Sequence, residues 1–153
     1  MTLDDLDLAI LRELQRDART SNVDLAQRIG LSPPATHARV RRLEREGVIT
    51  RYVALVDPDA AGFDLLCFIH VGLRLHGHDD IERFREAVAS IPEVLECHHV
   101  TGEHDYLLRV VLKNRRDLER FLVERLAPLQ GVARVQTSLV LRETKRTTEL
   151  PIG

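Results

Sequence analysis

The chain has 153 residues, 44% of them apolar, and a formal net charge of −2. That is room for one ordinary domain or two small ones with real cores, which excludes global disorder, and a near-neutral balance excludes a polycation, so any nucleic-acid surface must be a local patch. No run reaches the ~18 apolar residues a membrane span needs, and the acidic start MTLDDLDLAI lacks the basic, then apolar, pattern of a signal peptide; a cytoplasmic location is expected.

The first predicted helix covers residues 5–17. Leu6, Ile10 and Leu14 recur at steps of four, with Leu3 and Leu11 beside them, which gives one apolar stripe. Asp4, Asp5 and Asp7 fall in the first turn, where the helix dipole favours negative charge. The second helix starts at Asn22 as N-cap, uses Val23, Leu25, Ala26 and Ile29, and ends at Gly30. Leu31 follows in the turn. Ser32 is the next N-cap and Pro33 the first helical residue, where a missing N–H costs nothing.

The third helix runs to about Glu46 and stops at Gly47. At about 100° per residue, Thr36, Val40 and Leu43 face the first two helices. Pro34, Ala35, Ala38, Arg41, Arg42 and Arg45 fall opposite, with His37 and Arg39 on the flanks. The outer face is therefore small at its leading end and basic behind it. A helix entering a major groove needs that combination, with slim residues for close approach to base edges and cations for phosphates. Ser32 and the free N–H groups of the first turn can also hold a phosphate. The plainer reading is a solvated charged face, to which Glu44 and Glu46 lend weight. The turn grammar NVDLAQRIGLSPP decides for DNA, with Ser32, Pro34, Ala35, His37, Ala38, Arg39, Arg41, Arg42 and Arg45 as candidate contacts. A single such helix does not bind specifically at cellular salt, so a dimer presenting two of them is expected.

Residues 49–56 (ITRYVALV) read as a strand, and the Asp57-Pro58-Asp59 and Ala60-Ala61-Gly62 cluster as a linker. Residues 1–60 thus form a helix-turn-helix domain with its connecting strand, and 61–153 a second domain. That domain opens with LLCFIHVGLRL at 65–75, apolar at nearly every position, as in a strand buried on both faces. Asp79 or Asp80 caps a helix with Ile81, Phe84, Val88 and Ile91 on one side, stopped by Pro92. Residues 94–101 and 105–113 form a hairpin across Gly102-Glu103-His104. Asp117 caps a helix with Leu118, Phe121, Leu122 and Leu126 inward, and residues 132–142 make the last strand.

Strand, helix, strand, strand, helix, strand is the order of a ferredoxin-like sheet with both helices on one face, so the fold class is α+β. The other face would be open to water, yet the first strand is apolar on both sides. A second copy covering it resolves the conflict and predicts an isologous homodimer.

The hairpin tip is the second candidate site. Gly102 permits close approach, while the Thr101 hydroxyl, free backbone groups and the Asp105 carboxylate can hold a small zwitterion. By spacing alone it reads equally as an ordinary turn with Gly and Asp in their usual places. Cys97, His98, His99 and His104 look like metal ligands on paper, but successive strand residues point to opposite faces, so no metal is expected. Cys67 and Cys97 read as free thiols in apolar strands. No Ser/His/Asp set, Walker loop or G-x-G-x-x-G appears, so neither an enzyme nor a cofactor is expected.

Four segments together resemble the Lrp/AsnC (leucine-responsive regulatory protein / asparagine synthase activator) family of transcription regulators. They are LDLAILRELQRDAR at 6–19, NVDLAQRIGLSPPATHARVRRLEREGVI at 22–49, VLECHHVTGEHDYLLRV at 94–110 and TSLVLRETKRTTELPI at 137–152. The resemblance implies an N-terminal winged helix-turn-helix domain and a ferredoxin-like βαββαβ domain that senses amino acids. It also implies dimers assembling into larger rings such as octamers. It places an amino-acid effector at Gly102, Asp105 and Tyr106, with Thr101 beside them and Thr137 and Ser138 as further contributors. The family pattern leaves the effector's side chain open; leucine is the candidate. The competing classes are an amino-acid-binding metabolic or sensor protein without DNA binding, and an RNA-recognition module. The latter stacks bases on aromatics of its central strands, where this chain has only Phe68 and Tyr106.

Overall fold

The computed structural model of the chain describes residues 2–74 and 77–152. Two units separate, Met1–Leu55 with Thr144–Gly153, and Val56–Glu143. The last ten residues, expected in the second domain, group with the first.

In the first unit, α1 spans Asp5–Arg16, α2 Asn22–Ile29 and α3 Pro33–Arg45. Asp4 starts α1 with a capping box. Its Oδ1 accepts the Asp7 N–H (2.8 Å), and Asp7 Oδ2 accepts the Asp4 N–H (3.2 Å). The N-cap of α2 is Ser21, one residue before the expected Asn22, because the Ser21 hydroxyl takes the Asp24 N–H. Gly30 ends α2 at φ +71, a left-handed conformation costly for any other residue, and that sharp turn launches α3 from Ser32. Thr36, Val40 and Leu43 are buried as their spacing requires. Ile10, Leu25, Val40 and Leu43 form the core, flanked by Leu3, Leu11, Leu14, Ile29 and Ile49. The C-terminal tail joins through Gln15, whose side-chain amide brackets Leu150. Its Oε1 accepts the Leu150 N–H (2.6 Å) and its Nε2 donates to the Leu150 carbonyl (3.2 Å).

Residues 49–56 do not form the expected strand. An extended run needs a hydrogen-bonded neighbour, and among the described residues of one chain there is none. Val53, Leu55 and Val56 stand exposed. Tyr52 is tied to α3 by donating to Glu44 Oε1 (3.0 Å); partial burial and that carboxylate push its pKa up to about 12.

In the second unit, β1 (Leu65–Leu73), β2 (Val94–His99), β3 (Tyr106–Leu112) and β4 (Val132–Leu139) form one antiparallel sheet in the order β2-β3-β1-β4. Residue 75, the end of the predicted first strand, lies outside the described residues. Helix α4 (His78–Ala89) begins after Gly77 rather than at Asp79 or Asp80. Helix α5 (Arg115–Arg120) is capped by Asn114, not Asp117, and continues as a π-helical turn, Phe121–Leu126. Phe84 and Val88 from α4, Ile91 just beyond its end, and Phe121 and Leu126 from the π turn that continues α5 pack on Cys67, Ile69, Val71, Tyr106, Leu108 and Val110. Both helices therefore cover one face, as the βαββαβ order requires. β1 is consequently buried on alternate residues within one chain. Leu66, Phe68 and His70 on the other face are only half-buried. Among the described residues no helix is long and apolar enough to cross a membrane.

The two thiols differ. Burial pushes Cys67 up to about 11, while Cys97 is exposed and raised by less. Iodoacetamide at pH 8 is expected to alkylate Cys97 in the folded protein and to reach Cys67 only after denaturation, read by peptide mass. Equal labelling of both would contradict the packing of β1.

Candidate functional sites

The outer face of α3 carries Ser32, Pro34, Ala35, His37, Ala38, Arg41 and Arg45, all exposed. Arg41 and Arg45 side chains are 69% and 71% exposed and make only loose pairs, with Glu44 (3.3 Å) and Glu46 (3.7 Å). Both guanidiniums can leave these partners at little cost. His37 is held by Asn22, whose amide nitrogen lies 3.0 Å from Nδ1, so Nε2 is left for an outside contact.

Arg39 and Arg42 are arranged differently. Arg39 Nη1 donates to Asp4 (2.7 Å to Oδ2) and to Asp7 Oδ1 (2.8 Å), and Arg42 Nη2 donates to Asp7 Oδ2 (2.5 Å). The Asp7 side chain is 1% exposed, and those of Arg39 and Arg42 are 25% and 37% exposed. One buried carboxylate thus bridges α1 to two turns of α3. The helical-wheel placement of Arg42 among the outward residues is corrected by this contact, since its charge is drawn to α1. Arg39 holds Asp4 below the usual carboxylate range, helped by the Asp7 N–H. The sequence reading missed Asp7 as a functional residue. A signal was present: it lies four residues after Leu3 and three before Ile10, a charged side chain on the apolar stripe.

The hairpin tip is fixed by Asp105. Its N–H donates to the Val71 carbonyl (3.0 Å), its carbonyl accepts the Val100 N–H (3.0 Å), and Oδ2 accepts the Leu73 N–H (2.7 Å). The carboxylate therefore closes the end of β1, and Oδ1 takes no hydrogen bond from the described residues. Gly102 sits at φ +123, a conformation suited only to glycine. Thr101 is exposed beside it. Tyr106 is buried at 2% exposure against Phe84 and accepts from Arg85 Nε through its hydroxyl (3.1 Å), so it supports the tip from below. Thr137 and Ser138 lie on β4, paired with Ile69 and Phe68 of β1 and facing opposite sides of the sheet. One chain does not bring them to the tip. The β4 residues that do approach are Gln136, whose Oε1 lies 3.2 Å from His104 Nε2, and Arg134, which packs at Gly72 beside Asp105. Neither stood out in the sequence, because strand register decides which β4 residues reach the turn. His98 points away from Cys97 and His99, and among the described residues no three metal-ligating side chains cluster.

Two family models match. Residues 3–50 match a winged helix-turn-helix DNA-binding model and residues 66–150 the Lrp/AsnC ligand binding domain. The leucine-responsive regulatory protein of Rhizobium meliloti (strain 1021) is 41% identical over 150 residues, covering 98% of this chain and 96% of that one. The protein of the same name from Escherichia coli (strain K12) is 42% identical over 150 residues, covering 98% and 92%. Among solved structures, a Neisseria meningitidis transcriptional regulator in complex with L-Met superposes with a TM-score of 0.94 at 39% identity, covering 98% and 97%. A cation-faced recognition helix in one unit and a βαββαβ ligand-binding unit in the other are thus matched along nearly the whole length, and the chain belongs to the Lrp/AsnC family of transcription regulators.

Proposed function

We propose that α3 lies in the major groove of operator DNA and that an α-amino acid bound at the hairpin tip changes DNA affinity or assembly. The observation behind the first half is the split among the arginines. Arg39 and Arg42 are spent on Asp7, which orients α3, while Arg41 and Arg45 are exposed, only loosely paired, and able to turn to phosphates or guanine edges. Ser32, Pro34, Ala35 and Ala38 form the slim leading end, and His37 reads from the flank. At the tip, Asp105 Oδ1 meets the ligand ammonium, and Thr101 and the backbone around Gly102 meet its carboxylate. Tyr106 acts as support, and Thr137 and Ser138 contribute from a neighbouring copy.

The half-covered sheet face and the unpaired run at 49–56 support a dimer whose sheets face each other, with dimers joining into larger assemblies such as octamers. Those copies set the spacing of two α3 helices. Leucine is the first effector to test, since the curated relatives are named for it, and methionine the second, since it occupies the Neisseria meningitidis regulator. The site of action is the cytoplasm, where the DNA is.

A thermal-shift screen of the twenty amino acids tests the effector half. At least one is expected to raise the melting temperature of the full chain, and Asp105→Ala to abolish the shift at the tip. Flat curves for all twenty with folded protein would overturn it.

A further inference from the structure

We infer that the second unit holds another small-molecule site, in a cleft of about 410 Å³ between the end of β3 and the π turn, built to take an α-amino acid with an apolar side chain. It is separate from the hairpin tip and does not rest on that reading. Glu93, Lys113 and Arg125 line it, with Phe63, Val111 and Phe121 as its apolar part. The volume lies in the range of small-ligand pockets, roughly 300–1,000 Å³.

Three observations point to a ligand. The first is Glu93. Its backbone is pinned by the Val111 N–H (3.0 Å to the Glu93 carbonyl), yet its Oε2 is shut from water and has no hydrogen-bond partner among the described residues. That oxygen has no surface for a ligand to reach, so an incoming ammonium meets the carboxylate on its open side and supplies a counter-charge that no described residue gives it. The second is the charge arrangement. Arg120 is committed to Asp117, whereas Lys113 and Arg125 form no ion pair among the described residues. Glu124 also lines the cleft and forms no ion pair among the described residues, so charges of both signs are left uncommitted around apolar side chains, the complement of a zwitterion. The third is the helix. Ala127 N–H reaches back to the Leu122 carbonyl (2.9 Å), a five-residue bond, so the wall of the cleft is wound as a π turn. Such turns sacrifice backbone regularity and occur often at functional sites. Here the turn keeps Phe121 in the core while Arg125 remains at the surface. The ammonium belongs at Glu93, the carboxylate at Lys113 and Arg125, and the side chain over Phe63 and Phe121.

The test is calorimetric titration of each of the twenty L-amino acids into the full chain as wild type, Asp105→Ala, Glu93→Gln and Lys113→Ala. An amino acid is expected to bind Asp105→Ala with one equivalent per chain, and about tenfold or more weaker once Glu93→Gln or Lys113→Ala is added. Thr101→Ala, at an exposed position, replaces Asp105→Ala if that variant does not fold, and Lys113→Ala likewise stands in for Glu93→Gln. Binding that survives the tip variants and falls with the cleft variants supports the site even if the tip binds nothing. Loss of all binding in the tip variants, or wild-type binding in both cleft variants, overturns it and leaves the hairpin reading untouched.

Discussion

Replacing Asp7 by alanine is expected to destabilise the helical unit by about 2–4 kcal/mol, the largest effect of any single substitution in its polar residues. The carboxylate is buried and serves two guanidiniums and the Asp4 N–H at once. Removing it strands Arg39 and Arg42 against α1 with less charge to meet. Breaking a fully buried pair costs about 3–5 kcal/mol, and the partial exposure of both arginines lowers the figure, because water takes over part of the solvation. For a unit of this size the melting transition should fall by about 10–20 °C. Asp7→Asn keeps the shape and some hydrogen bonds and should fall between. A melting curve for Asp7→Ala that overlays the wild type would show that the bridge does not hold α3.

The same network gives a pH dependence. Asp4 titrates below its ordinary 3.8 in the folded protein, chiefly because Arg39 binds its charged form. Its contribution to stability is therefore complete above the ordinary value and disappears as the pH falls through the lowered one. Arg39→Ala should shrink that dependence and leave the part owed to the Asp7 N–H.

The second large effect is on DNA. Arg41→Ala combined with Arg45→Ala is expected to weaken operator binding by about tenfold to a hundredfold and to reduce the salt slope of log K by about 2 per chain. The melting temperature should stay unchanged, because both side chains are exposed and loosely paired. Arg39→Ala should show the opposite balance, with a lower melting temperature and a smaller direct loss of phosphate contact. Fluorescence anisotropy over a salt series separates the two. Equal loss of stability from both sets would mean that the arginines are not divided between scaffold and groove.

The division between those arginines marks where sequence patterns stop. Helical spacing placed Thr36, Val40 and Leu43 inward and the small and basic residues outward, and Gly30, Ser32 and Pro33 set the turn between helices, because these are local effects. Asp7 binding Arg39 and Arg42 spans more than 30 residues of chain and depends on how α1 crosses α3. The cap positions slipped for a related reason. Ser21 and Asn22, and likewise Asn114 and Asp117, are all able to cap, and only the backbone path chooses. Residues 49–56 have the composition of a strand, but a strand exists only with a partner. At the tip, the role of Gly102 follows from its residue type. The approach of Gln136 and Arg134, rather than Thr137 or Ser138, follows from the β1–β4 register, which no local pattern encodes.

The claim that joins the two units is that one amino acid and one operator act on each other through this protein. The direct measurement is a linkage pair: operator affinity by anisotropy with and without saturating leucine or methionine, and amino-acid affinity by calorimetry with and without operator. Coupling is reciprocal, so the two ratios should agree and differ from one by about fivefold or more. Operator binding that is steeply salt-dependent yet indifferent to every amino acid, with amino-acid binding equally indifferent to operator, would contradict it.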